Sequence, residues 1–112
     1  MQTESLTPND LKDLITSVLV DRKAQDIVTI DLAGKTAMAD FLVIATGTSQ
    51  RHVGAMADIL YHDLKSHLQV GIEGIPQCDW VLIDAGAVVV HLFRAEARAF
   101  YALEKLWGTE AP

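Results

Sequence analysis

The run Phe41-Leu42-Val43-Ile44-Ala45 narrows the fold more than any other feature of the chain. A strand with one face in water alternates apolar and polar residues, whereas an unbroken apolar run fits a strand covered on both faces. Thr46-Gly47-Thr48-Ser49 ends the run. After it, Val53, Met56, Ala57, Leu60 and Leu64 recur at the spacing of one helix face, with Ser49 placed as the N-cap. A buried strand feeding an amphipathic helix is the grammar of a layered α/β domain.

The flanking segments extend that reading. Thr7 and Pro8 predict an N-cap and first helical position, and Leu11, Leu14, Ile15, Val18 and Leu19 supply the apolar stripe of a first helix. The polar run Asp21-Arg22-Lys23 closes it. Ile27 to Leu32 reads as a strand, Gly34-Lys35-Thr36 as a turn, and Val70 to Ile75 as a weak strand interrupted by Pro76. Trp80 to Asp84 and Val88 to Phe93 read as strands joined by the short loop Ala85-Gly86-Ala87. A last helix is expected from about Ala95 to Trp107, stopping at Gly108. The expected architecture is a single α/β domain over residues 7–108, a mixed sheet of about five strands packed by helices, with flexible tails at 1–6 and 109–112.

Composition sets the outer bounds. The chain has 112 residues, half of them hydrophobic, which suits one domain with one continuous core. No apolar run reaches the roughly 20 residues of a membrane span, and the start MQTESLTPND lacks a signal peptide's basic and apolar regions. The single cysteine, Cys78, leaves no internal disulfide, so a cytoplasmic location is expected. The net charge of −6 argues against a protein held on nucleic acid by phosphate contacts. It is compatible with docking on a basic protein, including one that itself sits on RNA. Arg22/Lys23 and Arg94/Arg98 are the only hints of a local basic patch in the sequence.

Candidate chemistry is sparse. Gly47-Thr48-Ser49 stands at a strand-to-helix junction, where free N–H groups can hold a phosphate and where nucleotidyltransferases carry a Gly-Ser pair. Those enzymes also need an Asp-x-Asp or Asp-x-Glu pair for Mg²⁺, and none follows. His62 and His67 are five apart and miss the helical metal-pair spacing, His52 lies at a helix start, and His91 lies inside a strand. Cys78, beside Asp79, has no evident cation or base to lower its pKa. No catalytic residue, metal ligand or cofactor is assigned, and a non-enzymatic protein is expected.

The aromatic and charged residues are more informative. With Val81 and Ile83 on one face of their strand, Trp80, Leu82 and Asp84 fall on the other. A strand face with Trp at one end and Asp at the other suits an interface, where Trp, Tyr and Arg dominate binding energy; the same Trp80 also suits a core. Arg98 and Tyr101, off the Phe100/Leu103 stripe, extend the surface.

In order along the chain, Lys23-Ala24-x-Asp26-Ile27, Asp40-Phe41, Gly47-Thr48-Ser49-x-Arg51-His52, Glu73-Gly74, Asp79-Trp80-Val81-Leu82-Ile83-Asp84, Val90-His91, Arg98 and Tyr101-x-Leu103-Glu104-x-Leu106-Trp107 resemble the ribosomal silencing factors (the Iojap family). The resemblance covers roughly Leu11 to Trp107, departing at Gly86-Ala87, where the family often has Gly-Asp. It implies a nucleotidyltransferase-like fold without the catalytic carboxylates. It also implies a translation repressor that binds the intersubunit face of the large ribosomal subunit, chiefly through large-subunit protein fourteen. Such a protein blocks small-subunit joining when nutrients are scarce. The expected partner-binding residues are Trp80, Asp84, His91, Arg98 and Tyr101, with no direct sequence-specific nucleic-acid contact and no membrane. Two other readings stay open: a nucleotide-binding or nucleotidyltransferase-like enzyme using the Gly47–Ser49 turn, and a homodimer formed through an exposed strand or the Trp80 face.

Overall fold

A computed structural model describes residues 6–32, 35, 39–75 and 77–96. Its elements are α1 (Pro8–Asp21), β1 (Gln25–Asp31), β2 (Phe41–Gly47), α2 (Gln50–Lys65), β3 (Gly71–Glu73), β4 (Trp80–Asp84) and β5 (Val88–Arg94). Ala95 and Glu96 are helical, and the rest of the expected last helix, with Arg98 and Tyr101, lies outside the described residues.

Local chemistry starts both helices. Thr7 Oγ1 accepts from the Asp10 N–H while the Asp10 carboxylate accepts from the Thr7 N–H, and Pro8 occupies the first turn, where its missing donor costs nothing. Ser49 caps α2 by accepting from the His52 N–H at 3.1 Å. Where α1 ends, the N–H of Ala24 reaches the Leu19 carbonyl and that of Lys23 reaches Val20. This is a Schellman closure with Lys23 at φ 68, the left-handed position usually given to glycine.

The strands form one mixed sheet in the order β1-β2-β5-β4-β3. β2 and β5 run parallel at its centre, Phe41 facing Val88 through Gly47 facing Arg94, and the other three pairings are antiparallel. A bulge between Gln25 and Val28, with Asp26 at φ 50, bends the start of β1. Compared with the sequence expectation, β1 begins earlier and ends one residue sooner. β2 and β5 run further because their mutual ladder continues past the apolar residues. β3 shrinks to three residues, ending before Gly74 at φ 102.

Pleat alternation then divides the apolar residues between two cores. Val43, Ala45, Val81, Ile83, Val88, Val90 and Leu92 face α1 and α2, against Leu11, Ile15, Leu19 and the whole α2 stripe. On the opposite face Ile30, Leu32, Leu42, Ile44 and Phe93 form a second buried cluster, with Val28, Val89 and Trp80 packed against it. The apolar run of β2 is therefore covered on both sides, as its lack of alternation requires. Among the described residues no helix is long and apolar enough to cross a membrane.

Candidate docking surface

Cross-strand register builds the site. Trp80 pairs with Phe93 and Leu82 with His91, so all four side chains emerge on the sheet face away from the helices. The Trp80 and Phe93 rings stack with centroids 5.1 Å apart, and the His91 ring lies 5.7 Å from Trp80. Diagonally across the ladder, Trp80 Nε1 donates to His91 Nδ1 at 2.8 Å. Trp80 is half-buried, neither a sealed core residue nor a loose surface one.

That hydrogen bond defines the state of His91. Its Nδ1 accepts only when it carries no proton, and burial among apolar neighbours pushes the imidazole pKa down to about 4. His91 is therefore neutral near pH 7 and holds the indole in one orientation. Orientation and stacking both reduce the freedom Trp80 would lose on meeting a partner.

A polar knot fixes the entry to β4. Asp79 Oδ1 accepts from Arg94 Nε at 2.6 Å and from Gln50 Nε2 at 3.0 Å, and the Arg94 N–H donates to the Asp79 carbonyl. Gln50 Nε2 also donates to the Gln77 carbonyl. The Arg94 hydrogen bond, then that of Gln50, holds the Asp79 carboxyl below its ordinary range. With Nη1 on Glu96, Arg94 is an ion-pair partner of two acids and not a free basic patch.

Among the residues expected to bind a partner, the fold brings Trp80 and His91 into direct contact. Asp84 shares their face but lies four positions along β4, about 13 Å away at the rise of an extended strand. Its Oδ1 accepts from the Gly86 N–H, so it also shapes the β4–β5 loop. The linear pattern does not mark Phe93, Asp79, Arg94 or Gln50 as site residues. Alternation along β5 is enough to place Phe93 beside His91, but the knot joins residues up to 29 positions apart and is visible only in three dimensions.

The Gly47–Ser49 turn has its own internal partners. Thr48 N–H donates to His52 Nδ1, His52 N–H to Ser49 Oγ and Val53 N–H to the Ser49 carbonyl. A Cβ on Gly47 would stand 2.6 Å from a methyl of Val53, so close packing on α2 accounts for that glycine. Cys78 is buried, with φ 60, in the loop before Asp79. Among the described residues no group of three His, Cys, Asp or Glu side chains stands close enough to hold a metal ion.

Comparison with known proteins places the arrangement in context. Residues 5–112 match the family described as "Ribosomal silencing factor during starvation". A ribosomal silencing factor of Zymomonas mobilis is 49% identical over 106 residues, covering 93% of this chain and 80% of that protein. A mouse protein named "Mitochondrial assembly of ribosomal large subunit protein 1" is 41% identical over 100 residues, 85% of this chain and 44% of that one. A crystal structure of a Chromobacterium violaceum protein superposes with a TM-score of 0.89 at 35% identity, covering 95% of this chain and 90% of the other.

Proposed function

Because the chain belongs to the ribosomal silencing factor family, we propose that it represses translation by docking on the intersubunit face of the large ribosomal subunit and excluding the small one. Large-subunit protein fourteen is the principal contact in this reading, nutrient scarcity is the condition, and the mechanism is steric, with no reaction catalysed. The family description supports the silencing and the condition, and the mouse relative's name supports the large subunit.

The observation that carries the reading on this chain is the fixed, half-buried Trp80, stacked on Phe93 and hydrogen-bonded to His91. An aromatic residue held in one rotamer with part of its ring accessible is the kind of group that dominates interface energy. Asp84 on the same face, and Arg98 and Tyr101 outside the described residues, complete the proposed contact set. Net charge −6 favours encounter with a basic protein surface.

Cosedimentation with isolated large subunits tests it. The wild-type chain is expected to travel with large subunits and to reduce their joining to small subunits. Trp80→Ala, confirmed folded by circular dichroism, is expected to lose about 2 kcal/mol of binding, roughly thirtyfold in affinity. Failure of the wild type to cosediment overturns the reading, and full binding by folded Trp80→Ala removes Trp80 from it.

A further inference from the structure

Beside Trp80 the sheet ends in its shortest strand. β3 has three residues and pairs Gly71 with Asp84 and Glu73 with Leu82. Two adjoining hollows, of about 270 Å³ and about 230 Å³, follow this edge. Trp80, Leu82, Glu73 and Gly74 line the first; Leu82, Glu73, Asp84, Gly71 and Ile72 line the second. Leu82 and Glu73 belong to both, so the two form one groove with a half-buried leucine in its floor. Gly71 contributes no side chain, and exposed Ile75 stands just beyond Gly74.

The acids of this groove have a defined geometry. Glu73 faces Leu82 across the ladder, and Asp84 lies two residues further along β4, on the same face. The carboxylates are thus a diagonal pair, with α-carbons roughly 7–8 Å apart and Leu82 adjacent to both, across the ladder from Glu73 and two residues before Asp84. Among the described residues neither is in an ion pair, although Asp84 accepts from the Gly86 N–H. In an extended chain, side chains at positions i and i+2 point the same way at about 7 Å separation. Two basic residues at that spacing match the two acids, and their aliphatic stems match the apolar floor of Leu82 and Trp80.

We propose that the β3–β4 groove receives an extended polypeptide segment of the docking partner, carrying basic residues at alternate positions that meet Glu73 and Asp84. This rests on the docking reading above for the identity of the partner, but the groove's recognition rule is its own. Trp80 then supplies affinity at one end while the acid pair sets direction and register along the edge. The occupant is a protein segment and not RNA, whose phosphates both carboxylates would repel.

The first arm of the test uses a blocked Thr-Arg-Thr-Arg-Thr peptide titrated into the ¹⁵N-labelled full chain. Saturable amide shifts are expected along Gly71–Glu73 and Trp80–Asp84. Glu73→Gln with Asp84→Asn, which keeps an acceptor for the Gly86 N–H, is expected to weaken binding about fivefold at low salt and to flatten its salt dependence. Glu73→Lys with Asp84→Lys is expected to abolish it, while Asp13→Asn with Asp63→Asn leaves it unchanged. A Thr-Arg-Arg-Thr-Thr peptide, whose arginines point to opposite sides when extended, is expected to bind more weakly. Shifts elsewhere, an unchanged response in the neutralised variant, or equal binding of the two peptides would overturn the proposal.

The second arm repeats the comparison on isolated large subunits. Wild-type binding with a loss in the neutralised variant supports the proposal. Wild-type binding with no loss overturns it and leaves the docking reading standing. Absence of wild-type binding overturns the docking reading, and the peptide arm then decides the groove by itself.

Discussion

His52 joins the end of α1 to the start of α2. Its Nδ1 accepts from the Thr48 N–H at 2.9 Å, and its Nε2 lies 2.8 Å from the Arg22 carbonyl oxygen. Only the neutral tautomer with its proton on Nε2 satisfies both contacts at once. One imidazole thus serves a donor at the opening of α2 and an acceptor beyond the last turn of α1.

Replacing it tests how much this link contributes. Both contacts are exposed, so water competes for the freed groups and the cost stays modest. His52→Ala is expected to destabilise the chain by about 1–2 kcal/mol, read as a lowered urea midpoint at unchanged slope. His52→Asn, too short to span both partners, should recover less than half. A midpoint equal to wild type for His52→Ala would show that the link is incidental.

His91 has its folded-state pKa lowered to about 4 from an ordinary value of 6.5, so between those values the unfolded chain binds a proton that the folded chain refuses. Its contribution to stability is complete above pH 6.5 and is lost as pH falls toward 4, by at most roughly 3 kcal/mol. Urea midpoints at pH 7.5 and 4.5 should therefore differ more in the wild type than in His91→Gln. In the folded chain the indole emission should change only near pH 4, where His91 takes up a proton and its hydrogen bond from Trp80 Nε1 is lost. Identical pH dependence in the two proteins would contradict the assignment.

Lys23 offers a gain. It sits at φ 68 to complete the α1 closure, a conformation that costs an L-residue about 1–2 kcal/mol. Lys23→Gly should raise stability by about 0.5–1 kcal/mol, the relief of strain being partly offset by a freer unfolded chain. A lowered melting temperature would mean that the lysine side chain makes a contribution exceeding the strain.

Two glycines with positive φ should separate cleanly. Gly86, at φ 80, has open space around its missing Cβ, whereas a Cβ on Gly74, at φ 102, would overlap the Trp80 carbonyl. Gly86→Ala should cost about 1 kcal/mol, from backbone conformation alone. Gly74→Ala should cost about 3 kcal/mol or more and shift Trp80 emission, because the β3–β4 connection must move. Equal costs would remove the close approach as the reason for Gly74.

What could be read along the chain was whatever short-range chemistry dictates. The Thr7/Pro8 and Ser49 helix starts, the five-residue stripe of α2 and the two-sided burial of β2 follow from capping and periodicity, and the fold repeats them. So does the face shared by Trp80, Leu82 and Asp84, since a strand's alternation is a local property. The ordered family residues were likewise sufficient to place the chain among the ribosomal silencing factors.

Strand order and register were decided only by packing, because hydrogen-bonding partners β2 and β5 lie some forty residues apart and no local preference encodes their pairing. The pairing of β4 with β5 brings His91 and Phe93 to Trp80 and Asp79 to Arg94, and the pairing of β3 with β4 brings Glu73 to the flank of Leu82. The sequence by itself determined where α1 and α2 start and which residues of those helices and of β2 turn inward. The tertiary structure decided which side chains meet, since alternation assigns a residue to a face and only the register of neighbouring strands assigns it a partner.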